Sequence, residues 1–192
     1  MDSSSARTSK VKLSTKITME QYLVMEDRQD RPGIARFLHE RLSERYIEPL
    51  QAVPVNKKNG FSIMAIACLL VEAIGQFEEG LDETPHGHAA FFKRFFVRHT
   101  PLNCFAPVAE SFYKNVRCGL LHSGETKGTW KITRAASASL LDAQDLKINA
   151  NQFLKALSQI LAEYETELAQ LHWDHEKWAA LRKKMRHVCD NA

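Results

Sequence analysis

The sequence lacks several patterns on which well-known functional sites are built. Its four cysteines, at positions 68, 104, 118 and 189, form no Cys-x-x-Cys pair, so no zinc-finger spacing is present and reduced thiols are expected. The sequence also has no glycine-rich phosphate loop and no nucleophile elbow around a serine. Sites that depend on these motifs are therefore excluded.

Long apolar segments are also missing. The longest apolar run, 61–71, is about half of the ~20 residues that a membrane-spanning helix needs. Residues 1–16 contain no apolar segment of the kind found in a secretory signal. They are rich in Ser, Thr and Lys, which predicts a disordered basic tail. We therefore expect a cytoplasmic protein without a membrane partner.

The net charge of +3 conceals a separation of charge along the chain. Residues 1–16 alone account for it, with four basic residues and one acidic residue. Residues 17–90 hold seven Lys/Arg against twelve Asp/Glu, 91–134 hold eight against two, and 135–170 hold two against five. A basic block such as 91–134 is typical of a phosphate-binding face, although a block in the sequence need not form a patch on the surface.

Two further groups of residues near the C-terminus are open to more than one interpretation. His172 and His175 are three residues apart, but two ligands do not make a metal site, so no metal and no cofactor are expected. Basic residues alternate with Trp173 and Trp178 over 173–186. This segment is either a surface for single-stranded RNA or a helix with buried tryptophans and solvated lysines.

Hydrophobic periodicity predicts a mainly α fold, a bundle of four to five helices with a small β-hairpin after the motif helix. A capping box at 18–21 begins a short helix, and Pro32 begins the next. The helix over 61–79 is apolar nearly all round, which predicts a central, buried position. The other predicted elements are helices over 88–98, 102–122, 149–170 and 173–188, and strands over 129–133 and 145–149, with a third strand possible within 135–141. One helical domain over 17–192 is expected.

The helix that ends near residue 122 carries an arginine and a histidine at a noteworthy spacing. Arg117 and His122 are separated by four residues. A guanidinium binds phosphate through paired hydrogen bonds, and an imidazole transfers protons near neutral pH. In a regular helix, residues five apart point about 140° apart, but these two side chains can still converge if the helix ends near Gly119, because Gly readily leaves helical geometry and the Arg side chain is long.

Glu72 is the single charged residue in the apolar run 61–77. A buried carboxylate needs a cationic partner or stays protonated, and Arg117 on another apolar helix is a candidate. The alternative is that Glu72 faces solvent along one polar edge of its helix, together with Gln76.

The Arg-x4-His spacing on a helix resembles the Arg-x4-6-His motif of HEPN domains, small helical proteins that include many metal-independent ribonucleases. The resemblance is strongest over 61–168, with a long apolar helix, a phenylalanine-rich helix, the motif helix and a closing helix. An acidic residue on a central helix near the motif arginine also recurs in the family, as Glu72 does here. HEPN ribonucleases usually carry a polar residue after the arginine, and this chain has Cys118. The resemblance implies a homodimer with facing motifs.

These observations lead to three hypotheses. The first is a metal-independent endoribonuclease of toxin–antitoxin, stress or phage-defence systems, restrained by an antitoxin or regulatory protein. In it, Arg117 binds the scissile phosphate, His122 is the general acid or base, and Glu72 orients Arg117. Three lysines would steer the RNA: Lys114, Lys127 and Lys131. The second is a non-catalytic HEPN-like module that binds RNA or a protein, which Cys118 favours. The third is an adaptor bundle in which Arg117 and Glu72 form a buried ion pair.

Overall fold

The computed structural model describes residues 11–54, 56–85 and 88–192, with His88 described by its backbone only. These residues are mainly helical and include a small three-stranded sheet. The predicted fold class, a helical bundle with a minor β element, is therefore confirmed.

The elements are numbered in chain order. The α-helices are α1 (Met19–Asp27), α2 (Arg31–Leu42), α3 (Glu48–Gln51), α4 (Gly60–Glu79), α5 (His88–Arg98), α6 (Ala109–Phe112), α7 (Cys118–Ser123), α8 (Ala150–Gln170) and α9 (Glu176–Asp190). Thr100–Val108 is a 3₁₀ helix, and Ser43–Ile47 and Tyr113–Arg117 are π-helical turns. The strands are β1 (Lys131–Thr133), β2 (Leu141–Asp142) and β3 (Lys147–Asn149).

The contacts within the chain divide it into two compact units. One unit comprises residues up to 45, 76–82 and 161–192, and the other comprises 46–75 and 83–160. Each of the two long apolar helices, α4 and α8, contributes residues to both units.

The first unit is built on α1, α2 and α9. The predicted capping box is present, since the Thr18 side chain accepts from the Gln21 N–H and Gln21 Oε1 accepts from the Thr18 N–H at 2.8 Å. Pro32 lies in the first turn of α2 as predicted. The buried apolar side chains of this unit include Tyr22, Phe37, Leu38, Leu168, Trp178 and Leu181.

The predicted tail over 1–16 lies only partly within the described residues. Residues 1–10 are outside them, and residues 11–16 belong to the first unit. Leu13 is buried, its carbonyl accepts from Arg45 Nη2 at 2.9 Å, and the Thr15 N–H donates to Glu44 at 3.0 Å. Residues 11–16 are packed because Leu13 is buried in the core. The average composition of residues 1–16, on which the predicted disorder is based, does not show the effect of a single leucine.

The second unit contains most of α4 and has an aromatic core. α4 is long and apolar enough to cross a membrane by length and composition, and 61% of its apolar window is buried within the protein, as the sequence predicted for a central helix. The phenylalanines of α5 are buried on one face. They belong to a ring cluster in which Phe112 stacks on Phe153 at 5.7 Å and meets Phe96 edge-on at 5.3 Å, the geometry that aromatic pairs prefer.

The sheet differs from the predicted hairpin in one respect. β2 and β3 pair antiparallel, which is the hairpin, but β1 pairs with β3 in parallel, in the order β1-β3-β2. The partner of β1 is set by the segment between β1 and β3, which crosses over and inserts β2 on the far side of β3. Alternation of apolar and polar residues marks a strand but does not identify its neighbour.

Candidate functional site

The segment that carries Arg117 and His122, which we call the motif helix (residues 109–123), contains a π-helical turn. It consists of α6, the turn Tyr113–Arg117 and α7, and it follows a 3₁₀ helix that contains Pro107. The Cys118 N–H donates to the Tyr113 carbonyl, five residues earlier. A π-turn inserts one residue into a helix and re-aims the side chains beyond it, and such turns are frequent at functional sites.

The helix does not end at Gly119, the end that would have let the two side chains converge by a break in the helix. Gly119 is inside α7, and the helix ends after Ser123 with Gly124 in the left-handed region at φ 69°. A Cβ built on Gly119 would lie 2.4 Å from the Glu125 carbonyl oxygen. The absence of a side chain at Gly119 therefore allows the following loop to pack directly against the helix. Arg117 reaches His122 through the length of its side chain and not through a break in the helix at Gly119.

The loop after the motif helix is bonded back onto it. The Lys127 N–H donates to the Asn115 carbonyl at 2.9 Å. Trp130 is buried, and its Nε1 donates to Ser111 Oγ at 3.0 Å. Since these bonds reach both the π-turn and the turn before it, the loop has a defined position beside the arginine–histidine pair.

Arg117 and Glu72 form a largely buried ion pair. Arg117 Nε donates to Glu72 Oε1 at 2.7 Å and Nη2 donates to Oε2 at 3.2 Å, and the two side chains are 13% and 10% exposed. Burial lowers the pKa of Arg117, but the hydrogen bonds and charge of Glu72 outweigh it and raise the pKa above its ordinary value. Of the two alternatives for Glu72, the structure shows the buried one paired with Arg117.

The same guanidinium also contacts His122. Arg117 Nη1 lies 3.4 Å from His122 Nε2, and His122 is exposed. Because a guanidinium only donates, this contact is a hydrogen bond when the imidazole is neutral with its proton on Nδ1 and Nε2 accepts. The structure thus brings Arg117, His122 and Glu72 together, with Glu72 buried on one side of the guanidinium and His122 exposed on the other.

Two side chains of this site, Tyr113 and Cys68, were not predicted from the sequence. The Tyr113 ring lies under Arg117, with the guanidinium carbon 5.8 Å from the ring centroid, a cation–π distance. Its hydroxyl interacts with the Cys118 thiol, and burial together with this hydrogen bond raises the pKa of Tyr113 to about 12. The i, i+4 spacing of Tyr113 and Arg117 is the signal that could have identified the contact.

Cys68 lies beside the ion pair, on the same helix as Glu72. It is fully buried on α4, one turn before Glu72. Burial raises the pKa of its thiol, and the Glu72 carboxylate raises it further. The Cys68 thiol therefore stays protonated, which is unfavourable for a nucleophile.

The three predicted RNA-steering lysines are all exposed. Lys114 lies on the π-turn, and Lys127 is held beside that turn by its backbone bond to Asn115. Lys131 is further along, on β1 opposite Lys147 of β3. The loop thus brings Lys127 back to the motif helix, while Lys131 belongs to the sheet.

The segment 173–186 agrees in part with the interpretation in which its tryptophans are buried and its lysines are solvated. Trp178 is fully buried and donates to the Leu168 carbonyl at 3.1 Å, and Lys184 donates to the Asp82 carbonyl at 2.6 Å. His172 pairs with Asp174 at 3.4 Å, both highly exposed. Across the described residues, no three His, Cys, Asp or Glu side chains cluster as metal ligands.

Comparisons of this chain with protein-family models, with curated proteins and with solved structures found no match. The functional interpretation therefore depends on the geometry of the site and on the motif in the sequence.

Proposed function

We propose that this protein is a metal-independent endoribonuclease of HEPN type. The observation that carries the proposal is that the guanidinium of Arg117 contacts both Glu72 and His122. Buried Glu72 holds it by an ion pair, and its Nη1 lies 3.4 Å from Nε2 of exposed His122. A fixed cation beside a solvent-accessible imidazole supplies the two functions that RNA cleavage needs. These are stabilisation of charge on the phosphate and transfer of a proton.

RNA provides its own nucleophile, the 2′-hydroxyl. In the proposed reaction, the 2′-oxygen forms a bond to the adjacent phosphorus, the bond from phosphorus to the 5′-oxygen breaks, and a 2′,3′-cyclic phosphate and a 5′-hydroxyl result. Neutral His122 accepts the 2′-hydroxyl proton at its unprotonated ring nitrogen or, when protonated, donates a proton to the leaving 5′-oxygen. A single histidine serves one of these steps, and the other proton is exchanged with water or a second group.

The geometry refines how Arg117 would bind the phosphate. Glu72 occupies Nε and one hydrogen of Nη2, which is the side-on edge of the guanidinium. One Nη1 hydrogen is directed at His122, and the other Nη1 hydrogen and the second Nη2 hydrogen remain for the phosphate as an end-on pair. Lys114 and Lys127, exposed beside the π-turn, would add attraction for the RNA backbone, with Lys131 further along.

The resemblance to HEPN proteins also supports proposals about biological context. These are a homodimer, a role in toxin–antitoxin, stress or phage-defence biology, an antitoxin or regulatory partner, and a cytoplasmic location. They stay predictions.

The test is RNA cleavage by the full chain in EDTA, with wild type, Arg117→Lys, His122→Ala and His172→Ala. His172 is an exposed histidine remote in sequence, so His172→Ala controls for loss of a histidine. We expect 2′,3′-cyclic phosphate ends from wild type and His172→Ala only. Arg117→Lys keeps the charge but cannot bond Glu72 side-on and contact His122 together. Equal cleavage by all four proteins would refute the proposal.

A second candidate function is a non-catalytic module that binds RNA or a protein. Cys118, after Arg117, favours it, because its thiol interacts with Tyr113 and Arg117 and offers no strong polar group to a substrate. RNA binding that weakens with salt, without cleavage by any variant, would favour this function. An adaptor, the third hypothesis, predicts neither binding nor cleavage of RNA.

A further inference from the structure

A second candidate binding site lies at the other end of α4. A cleft of about 570 Å³ is lined by the loop before α4, the first turn of α4, and β1 with the residues that follow it. All of these residues belong to the same unit as Arg117 and His122. The volume is in the range of small-ligand sites, and sequence analysis did not single out this region.

The cleft combines two unpaired cations with an exposed aromatic ring. Lys57 and Lys58 line it, and both are exposed, with no carboxylate partner in the described part of the chain. Phe61 also lines it and is 39% exposed, while the phenylalanines of α5 are buried. Exposure of a phenylalanine ring to water is unfavourable, so a ring at the wall of a cleft is a surface suited to a planar apolar ligand.

The shape of the cleft is held by the hydrogen bonds of Arg134 rather than by the lysines. Arg134 Nη1 donates to the Pro54 carbonyl at 3.3 Å and to the Lys57 carbonyl at 2.7 Å, and it also bonds Asn59. Its Nε donates to Asn151 Oδ1 at 2.9 Å. Arg134 is thus occupied in fixing the loop, and the lysine side chains are left available for a ligand.

We infer that this cleft binds a nucleotide of single-stranded RNA, with its base stacked on Phe61 and its phosphate beside Lys57 and Lys58. Stacking on an aromatic side chain next to cations is how proteins bind single strands without base pairing. The inference is based on the proposed function, because it assigns the cleft to RNA whose scissile phosphate lies at Arg117.

α4 fixes the spacing between the two sites. Gly60 lines the cleft and Glu72, which holds Arg117, is twelve residues along the same helix, a rise of about 18 Å. A strand bound at both sites would extend a few nucleotides beyond the scissile bond. The cleft would therefore increase affinity for longer single strands and leave the chemistry to Arg117 and His122.

The experiment measures binding of a fluorescent single-stranded RNA of about 16 nucleotides to the full chain carrying His122→Ala, which keeps the RNA intact. On that background we compare Lys57→Ala/Lys58→Ala, Phe61→Leu, Phe61→Tyr and the control Arg36→Ala/Lys155→Ala. The control also removes two exposed cations. All substituted side chains are exposed, so the variants are expected to fold.

We expect Phe61→Leu to weaken binding about tenfold, the loss of one base stack, and Phe61→Tyr to retain it. The slope of log affinity against log salt should fall by about 0.7 in Lys57→Ala/Lys58→Ala, the value for one lost phosphate contact on a single strand. It should change less in the control. This pattern would support the inference.

Three results would overturn it. These are no RNA binding, equal losses in the lysine variant and its control, or a lysine effect without a Phe61 effect. The last result would indicate a site for anions without bases, such as an acidic peptide. RNA cleavage by the wild type decides the proposed function separately, so either proposal can fail while the other holds.

Discussion

Replacement of Glu72 by glutamine removes the charge that holds Arg117 and retains the size of the side chain. The carboxylate and the guanidinium are 10% and 13% exposed and share two hydrogen bonds, so Glu72→Gln leaves a largely desolvated cation without a counter-charge. Loss of one partner of a buried pair costs about 3–5 kcal/mol. We take the lower end, about 3 kcal/mol, because Nη1 of Arg117 extends to exposed His122.

For a chain of this length, a change of about 3 kcal/mol lowers the melting temperature by about 6–12 °C. Urea unfolding of wild type, Glu72→Gln, Arg117→Gln and the double variant measures the free energy of unfolding and the coupling between the two side chains. We expect the double variant to lose less than the sum of the single losses, with a coupling of about 2 kcal/mol. Lys147→Ala is the surface control, because Lys147 pairs with Asp145 at 3.3 Å with the two side chains 34% and 58% exposed, and it should cost less than about 1 kcal/mol.

The reasoning would be refuted if Glu72→Gln matched the surface control in stability. The ion pair would then be solvated, and Arg117 would have no fixed position. If Glu72→Gln is destabilised as expected, RNA cleavage measured where the variant is still folded tests its second role. Loss of cleavage would identify Glu72 as a positioning residue for Arg117, and full cleavage would limit it to stability.

Three further predictions concern the same site. His122→Ala should change the free energy of unfolding by less than about 0.5 kcal/mol, because His122 is exposed, while it abolishes cleavage; a large loss of stability would contradict this division of roles. Gly119→Ala should cost about 2 kcal/mol in urea unfolding, because its Cβ would lie 2.4 Å from the Glu125 carbonyl oxygen; an unchanged midpoint would show that the loop is not in contact. The pKa of Tyr113 is raised from 10.0 to about 12, so the folded chain retains this proton more strongly than the unfolded chain does. Its contribution to stability is therefore complete below pH 10 and lost as pH rises from 10 to 12, and a phenolate absorbance titration in which Tyr113→Phe removes no late-titrating group would count against it.

The local features of this chain could be predicted from the sequence. Because helix caps and periodicity involve residues within a few positions of one another, the capping box at Thr18 and the central helix α4, with its end at residue 79, were predicted and are present. The same holds for the phenylalanine-rich α5. The candidate pair Arg117 and His122 was also visible, since both lie on one helix and the chemistry of each side chain is fixed by its type.

The relations between distant segments were decided by the tertiary structure. The sequence left two partners open for Glu72, solvent or Arg117, and packing of α4 against the motif helix selected Arg117. The π-turn at 113–117, with its hydrogen bond from Cys118 to Tyr113, was not predicted, because a one-residue insertion in a helix is set by what packs around it. The parallel pairing of β1 with β3 likewise depends on a crossover that periodicity does not encode.

The cleft beside Phe61 shows the same limit most clearly. Its walls come from residues 56–61 and 132–136, which are far apart in the sequence and meet only in the folded chain. Side-chain chemistry and helix periodicity are local properties and are written in the order of residues. Burial of a charge, the identity of a strand's neighbour and the opening of a cleft are properties of contacts between segments, and they exist only once the chain has folded.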